Sequence, residues 1–305
     1  MDAVINNIEA TSSWNDISTH SPYEELDGHH FLSWHRLGYK TFFDLLLNKY
    51  NNGPGYPTLD LKLQKVVSKI SYPQEPAEDV VVECEDGSSY RARNVIVTVS
   101  LGVLKERHHS LFSPPLPTKK VESIDQISMG ALCKIILEFN ATWWDDRYSF
   151  YSLLWRGEER RMVDKEDIWF TKIDSILTTM GYDKTLLLWT TGDSAKMVEL
   201  LPDDEVIRKC MKLIRKFLGK DRYIPEPVGI IRSTWSSNPY TRGSYTYDNL
   251  ETPKHPSART ILGEPLVDSS GAPRVLFAGE ATDLVHYATV SGAANTGYRE
   301  AQRLL

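Results

Sequence analysis

The sequence predicts a mixed α/β (α+β) chain, and three observations carry that reading. Short apolar runs at Val95–Val99 and Val275–Ala278 are the length of buried strands. Asp86-Gly87 stands between two strand-like runs and marks a hairpin. Residues 203–218 carry apolar side chains at helical spacing, and a second helix starts near Val290.

In chain order, residues 1–38 are polar and aromatic, with Trp14, Tyr23, Phe31 and Trp34 and no clear period, and read as loops with short helical turns. Tyr39–Tyr50 holds Phe42, Phe43, Leu45, Leu46 and Leu47, which predicts a short buried helix stopped by Asn51-Asn52-Gly53-Pro54. Leu59 to Ile70 alternates and then runs apolar. Val80–Cys84 and Tyr90–Ala92 flank the Asp-Gly turn, and Val95–Val99 follows, so a small sheet unit is expected. A Pro-rich loop at 113–117 leads into a helix with Val121, Ile124 and Ile127 on one side. Ala131–Phe139 is a strand, with Ala131, Cys133, Ile135, Leu137 and Phe139 on one face and Leu132, Lys134, Ile136 and Glu138 on the other. Further strands are expected at Phe150–Leu154, Ile168–Phe170, Thr185–Thr191 and Val228–Ser233. Helix 203–218 opens on Asp203, Asp204 and Glu205 and closes on Arg215, Lys216 and Gly219, matching the helix dipole.

The totals exclude several classes. At 305 residues, with 41% hydrophobic and 25% charged side chains, the chain has the composition of a soluble globular protein with ample core. A net charge of −6 argues against nucleic acid as a main partner. Cys84, Cys133 and Cys210 are scattered and suit a reducing compartment. No apolar run approaches the roughly 18 residues of a membrane helix, so no membrane partner is expected. The first residues have no secretory pattern, and the C-terminal Arg-Leu-Leu is not a peroxisomal tripeptide, so a cytoplasmic protein is expected. His29-His30 and His108-His109 are adjacent pairs without zinc spacing, and no metal site is expected. His286 reads as a solvated loop residue. No Gly-x-Gly-x-x-Gly, P-loop or nucleophile-elbow motif is present.

Three stretches could carry chemistry, each with two readings. Lys134 sits between Leu132 and Ile136. Partial desolvation would lower its pKa for acid/base or water-positioning work; alternatively its ammonium reaches water from a strand edge. Trp235–Tyr247 (WSSNPYTRGSYTY) is an aromatic run after a strand. Its rings could pack on a flat cofactor or flank an amine, or simply cover the core. Around Val290, the small residues Ser291, Gly292, Ala293, Ala294 and Gly297 would let a ligand approach a helix N-terminus, or would make a tight strand–helix packing joint.

Four blocks in order, NVIVTVSLGVLK (94–105), MGALCKIILEF (129–139) followed by Trp143-Trp144, RGSYTY (242–247) and the C-terminal RVLFAGEATDLVHYATVSGAANTGYREAQRLL, resemble the flavin-dependent amine oxidases, in particular the polyamine and spermine oxidase branch. The resemblance covers most of residues 35–305. It implies an incomplete FAD-binding domain (59–105 and 266–305) and a mixed-sheet substrate domain with helices (1–58 and 106–265). It makes Lys134 the active-site lysine that holds a water near the flavin. It assigns Tyr245 and Thr289 to substrate binding, and Val67, Trp235, Glu280 and Val290 to cofactor binding. Ser244 falls where monoamine oxidases carry the cysteine bonded to flavin, so the implied FAD is noncovalent. The implied chemistry is oxidation of spermine, spermidine or their acetylated forms by O2, giving an aminoaldehyde, an amine and hydrogen peroxide. The family's opening strand–Gly-x-Gly-x-x-Gly–helix unit has no counterpart here, so Val95–Val99 and Val275–Ala278 are expected as exposed edges. Two alternatives accompany this reading: a non-catalytic homologue that associates with a full-length relative, and an oxidase of monoamines or amino acids.

Overall fold

The computed structural model describes residues 2–24, 27–28, 33–220 and 222–305. The His29-His30 pair and Phe31 lie outside the described residues. The architecture is α/β, organised around two hydrophobic cores.

The first core is built on a five-stranded antiparallel sheet, in the order Gly229–Arg232, Leu132–Glu138, Tyr182–Thr191, Ser175–Thr179, Phe150–Ser152. One face of Leu132–Glu138 sends Cys133, Ile135 and Leu137 into the core, flanked by Ala131 and Phe139. The alternation therefore reads correctly from sequence. Helix Asp203–Leu218 covers this face with Val206, Cys210, Met211, Leu213 and Ile214, all fully buried, and Gly192–Leu200 adds Ala195 and Val198. Covering one face leaves the other, with Leu132, Lys134 and Ile136, open to form a site.

The second core lies under two smaller sheets. One runs Ser89–Ala92, Val80–Cys84, Val67–Ser71, Phe112–Ser113. The other runs Leu266–Val267, Pro273–Phe277, Val95–Val97, the last pair parallel. Helices Leu101–Leu111, Thr118–Gln126 and Ala258–Gly263 close it with Leu101, Leu104, Ile124 and Leu262. Lys120 is buried here, and its Nζ donates to the carbonyls of Ile261, Leu262 and Glu264 at 2.7–2.9 Å. Those carbonyls belong to the end of helix Ala258–Gly263, where a cation suits the dipole.

Several expectations are corrected. Ile168–Phe170 is not a strand: Lys165–Lys172 forms a 3-10 helix that buries Trp169 and Phe170. A three-residue apolar run has too little length to separate the two forms. The N-terminal region opens on an eight-residue helix, Asp2–Glu9, longer than the short helical turns expected among its loops. Pro273–Phe277 is not an edge, because it is paired on both sides and Val275, Leu276 and Phe277 are at most 1% exposed. Val95–Val97 does end its sheet, with a single partner strand.

Residues 39–50 do not form a buried helix either. Helix Lys40–Leu46 exists, but Phe43, Leu45 and Leu46 are about half exposed, at 55%, 48% and 57%. The apolar pattern states a preference for burial but cannot supply a surface to bury against. Phe43→Ser is accordingly expected to change unfolding stability by no more than about 0.5 kcal/mol. Urea denaturation checks this, and a loss of several kcal/mol would restore the buried reading.

Candidate functional site

The open face of the large sheet forms the floor of a chamber. Antiparallel register sets Trp189 opposite Lys134, and in-register residues share a face. The Lys134 Nζ stands 5.6 Å from the centre of the Trp189 ring. Among the described residues no hydrogen-bond acceptor meets that ammonium, and burial holds its pKa below the usual lysine value. The desolvated reading of Lys134 therefore prevails over that of an ammonium freely in water.

The chamber, about 450 Å3, is lined by Lys134, Trp189, Trp235 and Tyr245 together with Asn7, Asp174 and Ser244. Gly130 makes the Tyr245 wall possible. Gly130 N donates to the Tyr245 carbonyl at 2.7 Å, and a Cβ at position 130 would stand 2.9 Å from that oxygen and 2.8 Å from Ala10 Cβ. The Tyr245 hydroxyl donates to the Ile8 carbonyl at 2.8 Å, at the end of helix Asp2–Glu9, and burial raises its pKa. The loop after Trp235 is pinned from below by Glu199, whose carboxylate accepts from Ser236 N at 3.1 Å and Ser237 N at 2.8 Å.

Two further cavities continue this one. A groove of about 330 Å3 is lined by Val97–Leu101, Ser244 and Gly279–Thr282, including Glu280. A second, about 690 Å3, runs along the open edge of Val95–Val97 and includes Val67. Ser244 borders both the chamber and the first groove, while Val97, Thr98, Val99 and Tyr240 border both grooves. Three spaces thus adjoin in sequence, from Val67 past Glu280 to Lys134.

Glu280 is held rather than free. Its carboxylate accepts from Thr246 Oγ1 at 2.7 Å, Ala288 N at 2.7 Å and Thr246 N at 3.3 Å. Behind it Arg259 donates to Thr246 Oγ1 and to Asp248, with its guanidinium 3.8 Å from the centre of the Tyr287 ring.

Thr289 and Val290 lie outside the residues lining these three spaces. Thr289 caps helix Val290–Arg303, its hydroxyl accepting from Gly292 N at 2.9 Å and donating to the His286 carbonyl at 2.6 Å. Val290 is exposed on the first turn. Gly292 serves packing: a Cβ there would stand 2.2 Å from the His286 carbonyl oxygen. At Gly292 the packing-joint reading of this stretch therefore holds. Thr289→Ala is expected to cost about 1 kcal/mol of stability through the lost cap, with Thr289→Ser nearly neutral. Chemical denaturation of the two variants measures it, and equal losses would remove the cap from the account.

Asn7, Asp174, Ser175, Glu199 and Arg259 were not legible as site residues. None belongs to a motif: Asp174 and Ser175 arrive through sheet register, and Asn7, Glu199 and Arg259 are carried in on helices Asp2–Glu9, Gly192–Leu200 and Ala258–Gly263.

Sequence comparison matches residues 7–305 to the model of the flavin containing amine oxidoreductases. The chain belongs to this family. It is 38% identical over 233 residues to the human peroxisomal N(1)-acetyl-spermine/spermidine oxidase, covering 74% of this chain and 45% of that protein. A histone demethylase-like protein A of Aspergillus fumigatus is 35% identical over 255 residues, covering 81% of this chain and 22% of its own length. The chain thus spans less than half of these two relatives. A solved structure of a putrescine oxidase double mutant, redesigned in cofactor binding, matches with a TM-score of 0.55 at 18% identity, over 79% of this chain and 48% of that one. That likeness concerns the fold.

Proposed function

We propose that the protein is a noncovalent FAD-dependent oxidase of polyamines, using O2 and releasing hydrogen peroxide. The observation that carries the reading is the run of three spaces, linked by shared lining residues, from Val67 past Glu280 to Lys134. The residues fit such a group. Ser244 Oγ, at the junction of groove and chamber, is buried without a hydrogen-bond partner, as is Trp189 Nε1 on the chamber floor. Orphaned polar atoms of this kind await a polar occupant. Ser244 is also a hydroxyl where a covalent link would need a thiol.

The flavin, when bound, would supply hydride acceptance and reaction with O2. The chain's own residues do the rest. Val67, Trp235 and Glu280 would hold the cofactor, and Trp235 with Tyr245 would flank the amine on either side. Lys134, its pKa lowered by burial, would hold a water beside the reacting carbon. Thr289 and Val290, which the family resemblance assigns to substrate and cofactor, would act through the helix start they shape.

The test is to purify the chain, record the flavin absorption band, and assay peroxide with spermine, spermidine, their acetylated forms, a monoamine and a methyl-lysine peptide. A yellow protein active on polyamines is expected. A folded, colourless, inactive chain would sink the reading.

A second reading is favoured by one feature, the open edge of Val95–Val97 bordering an apolar groove. Unpaired backbone groups along such an edge are a template for another strand. A non-catalytic homologue could pair there with a full-length relative. Co-purification would support this, and a stable, strictly monomeric chain would count against it.

A further inference from the structure

We propose that Glu199 is a positioning residue for the Trp235 wall of the Lys134 chamber, holding that ring where a flavin would meet it. The inference rests on reading the chamber as part of a flavin site, and it adds a residue that acts through Trp235 rather than on cofactor or amine.

Trp235, which lines the chamber, stands on a short turn with unmet donors. Asn238 N donates to the Thr234 carbonyl at 2.9 Å, which closes residues 234–238 into one helical turn. The N–H groups at the start of such a turn have no carbonyl partner within it. Two of them are met from outside by the two oxygens of one buried carboxylate. Ser236 N donates to Glu199 Oε1 at 3.1 Å, and Ser237 N donates to Oε2 at 2.8 Å. An ionised acceptor makes such bonds stronger than ordinary backbone ones.

The first of these bonds bears on the ring directly. Ser236 N belongs to the Trp235–Ser236 peptide unit, which is planar. The carbonyl of the same unit accepts from Thr241 Oγ1 at 2.6 Å and from Gly243 N at 3.0 Å. One peptide plane is thus held at both ends, and with it the direction in which the Trp235 side chain leaves the backbone. Of these three bonds, only the one to Glu199 comes from outside the loop.

Helix Gly192–Leu200, which carries Glu199, is in turn fastened to the strand that leads to Trp235. Arg232, the last residue of strand Gly229–Arg232, donates through Nη1 to the Val198 carbonyl at 2.7 Å and through Nη2 to the Leu201 carbonyl at 2.9 Å. These carbonyls lie at the end of the helix, where a cation suits the dipole. The two contacts cross: the arginine of the strand caps the helix, and the glutamate of the helix caps the turn. Ser233, between them, ties the segment to Lys134. Lys134 N donates to Ser233 Oγ at 2.8 Å, and Ser233 N donates to the Lys134 carbonyl at 3.0 Å. Trp235 and Lys134 therefore share one frame, and Glu199 is the part of it that reaches the Trp235 peptide.

Fluorine NMR of protein labelled with 5-fluorotryptophan tests this without cofactor or activity. The chain has eight tryptophans, and Trp235→Phe identifies the line of residue 235. Wild type is expected to give one sharp Trp235 line. Glu199→Ala should split or broaden it while leaving the other lines in place, and Glu199→Gln, which keeps one acceptor oxygen, should fall between. Titration of FAD, followed by quenching of its fluorescence, gives a second readout: Glu199→Ala is expected to weaken binding about tenfold. An unmoved Trp235 line in Glu199→Ala would overturn the proposal. So would a shift of all the lines together, which would make Glu199 a general support of the fold, and so would a moved line with unchanged FAD affinity. A wild-type chain that takes up no FAD would sink the flavin reading instead, and the Trp235 line would still decide whether Glu199 sets that ring.

Discussion

Arg259→Met is expected to lower unfolding stability by about 3–5 kcal/mol, the cost of leaving a buried charge without its partner. The Arg259 and Asp248 side chains are 3% and 2% exposed, and the guanidinium donates to Asp248 Oδ1 at 2.8 Å. The same guanidinium donates to Thr246 Oγ1 at 2.8 Å and to the Ala281 carbonyl at 3.3 Å. Asp248 in turn accepts from Ser21 Oγ, which is joined to the Tyr287 hydroxyl at 2.6 Å. Removing Arg259 therefore strands Asp248 and loosens the Thr246 hydroxyl on which Glu280 rests. Urea denaturation read by far-ultraviolet circular dichroism measures the loss. A drop below about 1 kcal/mol would mean that water reaches Asp248 and that the network is ornamental. The paired variant Arg259→Met/Asp248→Leu separates the mechanisms. If the damage comes from an orphaned carboxylate, removing it too should recover most of the stability, because apolar replacements of both partners are often near neutral. Flavin retention should recover less, since the Thr246–Glu280 support stays broken.

The fold was legible where a local pattern met a complete physical demand. Leu132–Glu138 alternates because one face is core and the other is site, and both faces were readable along with Lys134. Helix Asp203–Leu218 shows its apolar stripe, its acidic start and its basic end in the sequence itself. Legibility failed where the outcome depended on a distant surface. Residues 40–46 carry a core-like composition, yet Phe43 and Leu46 stay more than half exposed. The strand at Val275–Phe277 was expected as an edge, but Leu266–Val267 folds back to pair with it. Gly292 reads equally well as a ligand approach or a packing joint until the His286 carbonyl is seen above it. Asp174 is the sharpest case. It sits in an ordinary stretch, KIDSIL, and becomes part of the chamber only through the pairing of Ser175–Thr179 with Tyr182–Thr191.

Lys134→Met should cut both ways, losing activity while gaining stability. If Lys134 holds a water at the reacting centre, its removal is expected to slow flavin reduction by polyamine about a hundredfold or more, within the range of positioned acid/base groups. Stability moves the other way because burial depresses the Lys134 pKa below its unfolded value. Between the two values the unfolded chain binds a proton that the native chain does not, so native stability rises with pH there. Below the folded value both states are protonated, and the full cost of burying the ammonium remains. Methionine has nearly the same length and no charge, so the variant escapes that cost. Its thermal midpoint should therefore exceed that of wild type at neutral pH, and the gap should close as pH rises toward about 10.4, the unfolded lysine value. Calorimetric melts at several pH values read the second effect, and stopped-flow absorbance of the flavin band reads the first. A variant that loses activity but melts lower than wild type at every pH would make Lys134 a structural residue. One that melts higher yet keeps wild-type flavin reduction would leave a buried lysine without a catalytic role. Only the combination, a slower enzyme with a firmer fold, fits a lysine kept in an apolar chamber for its chemistry.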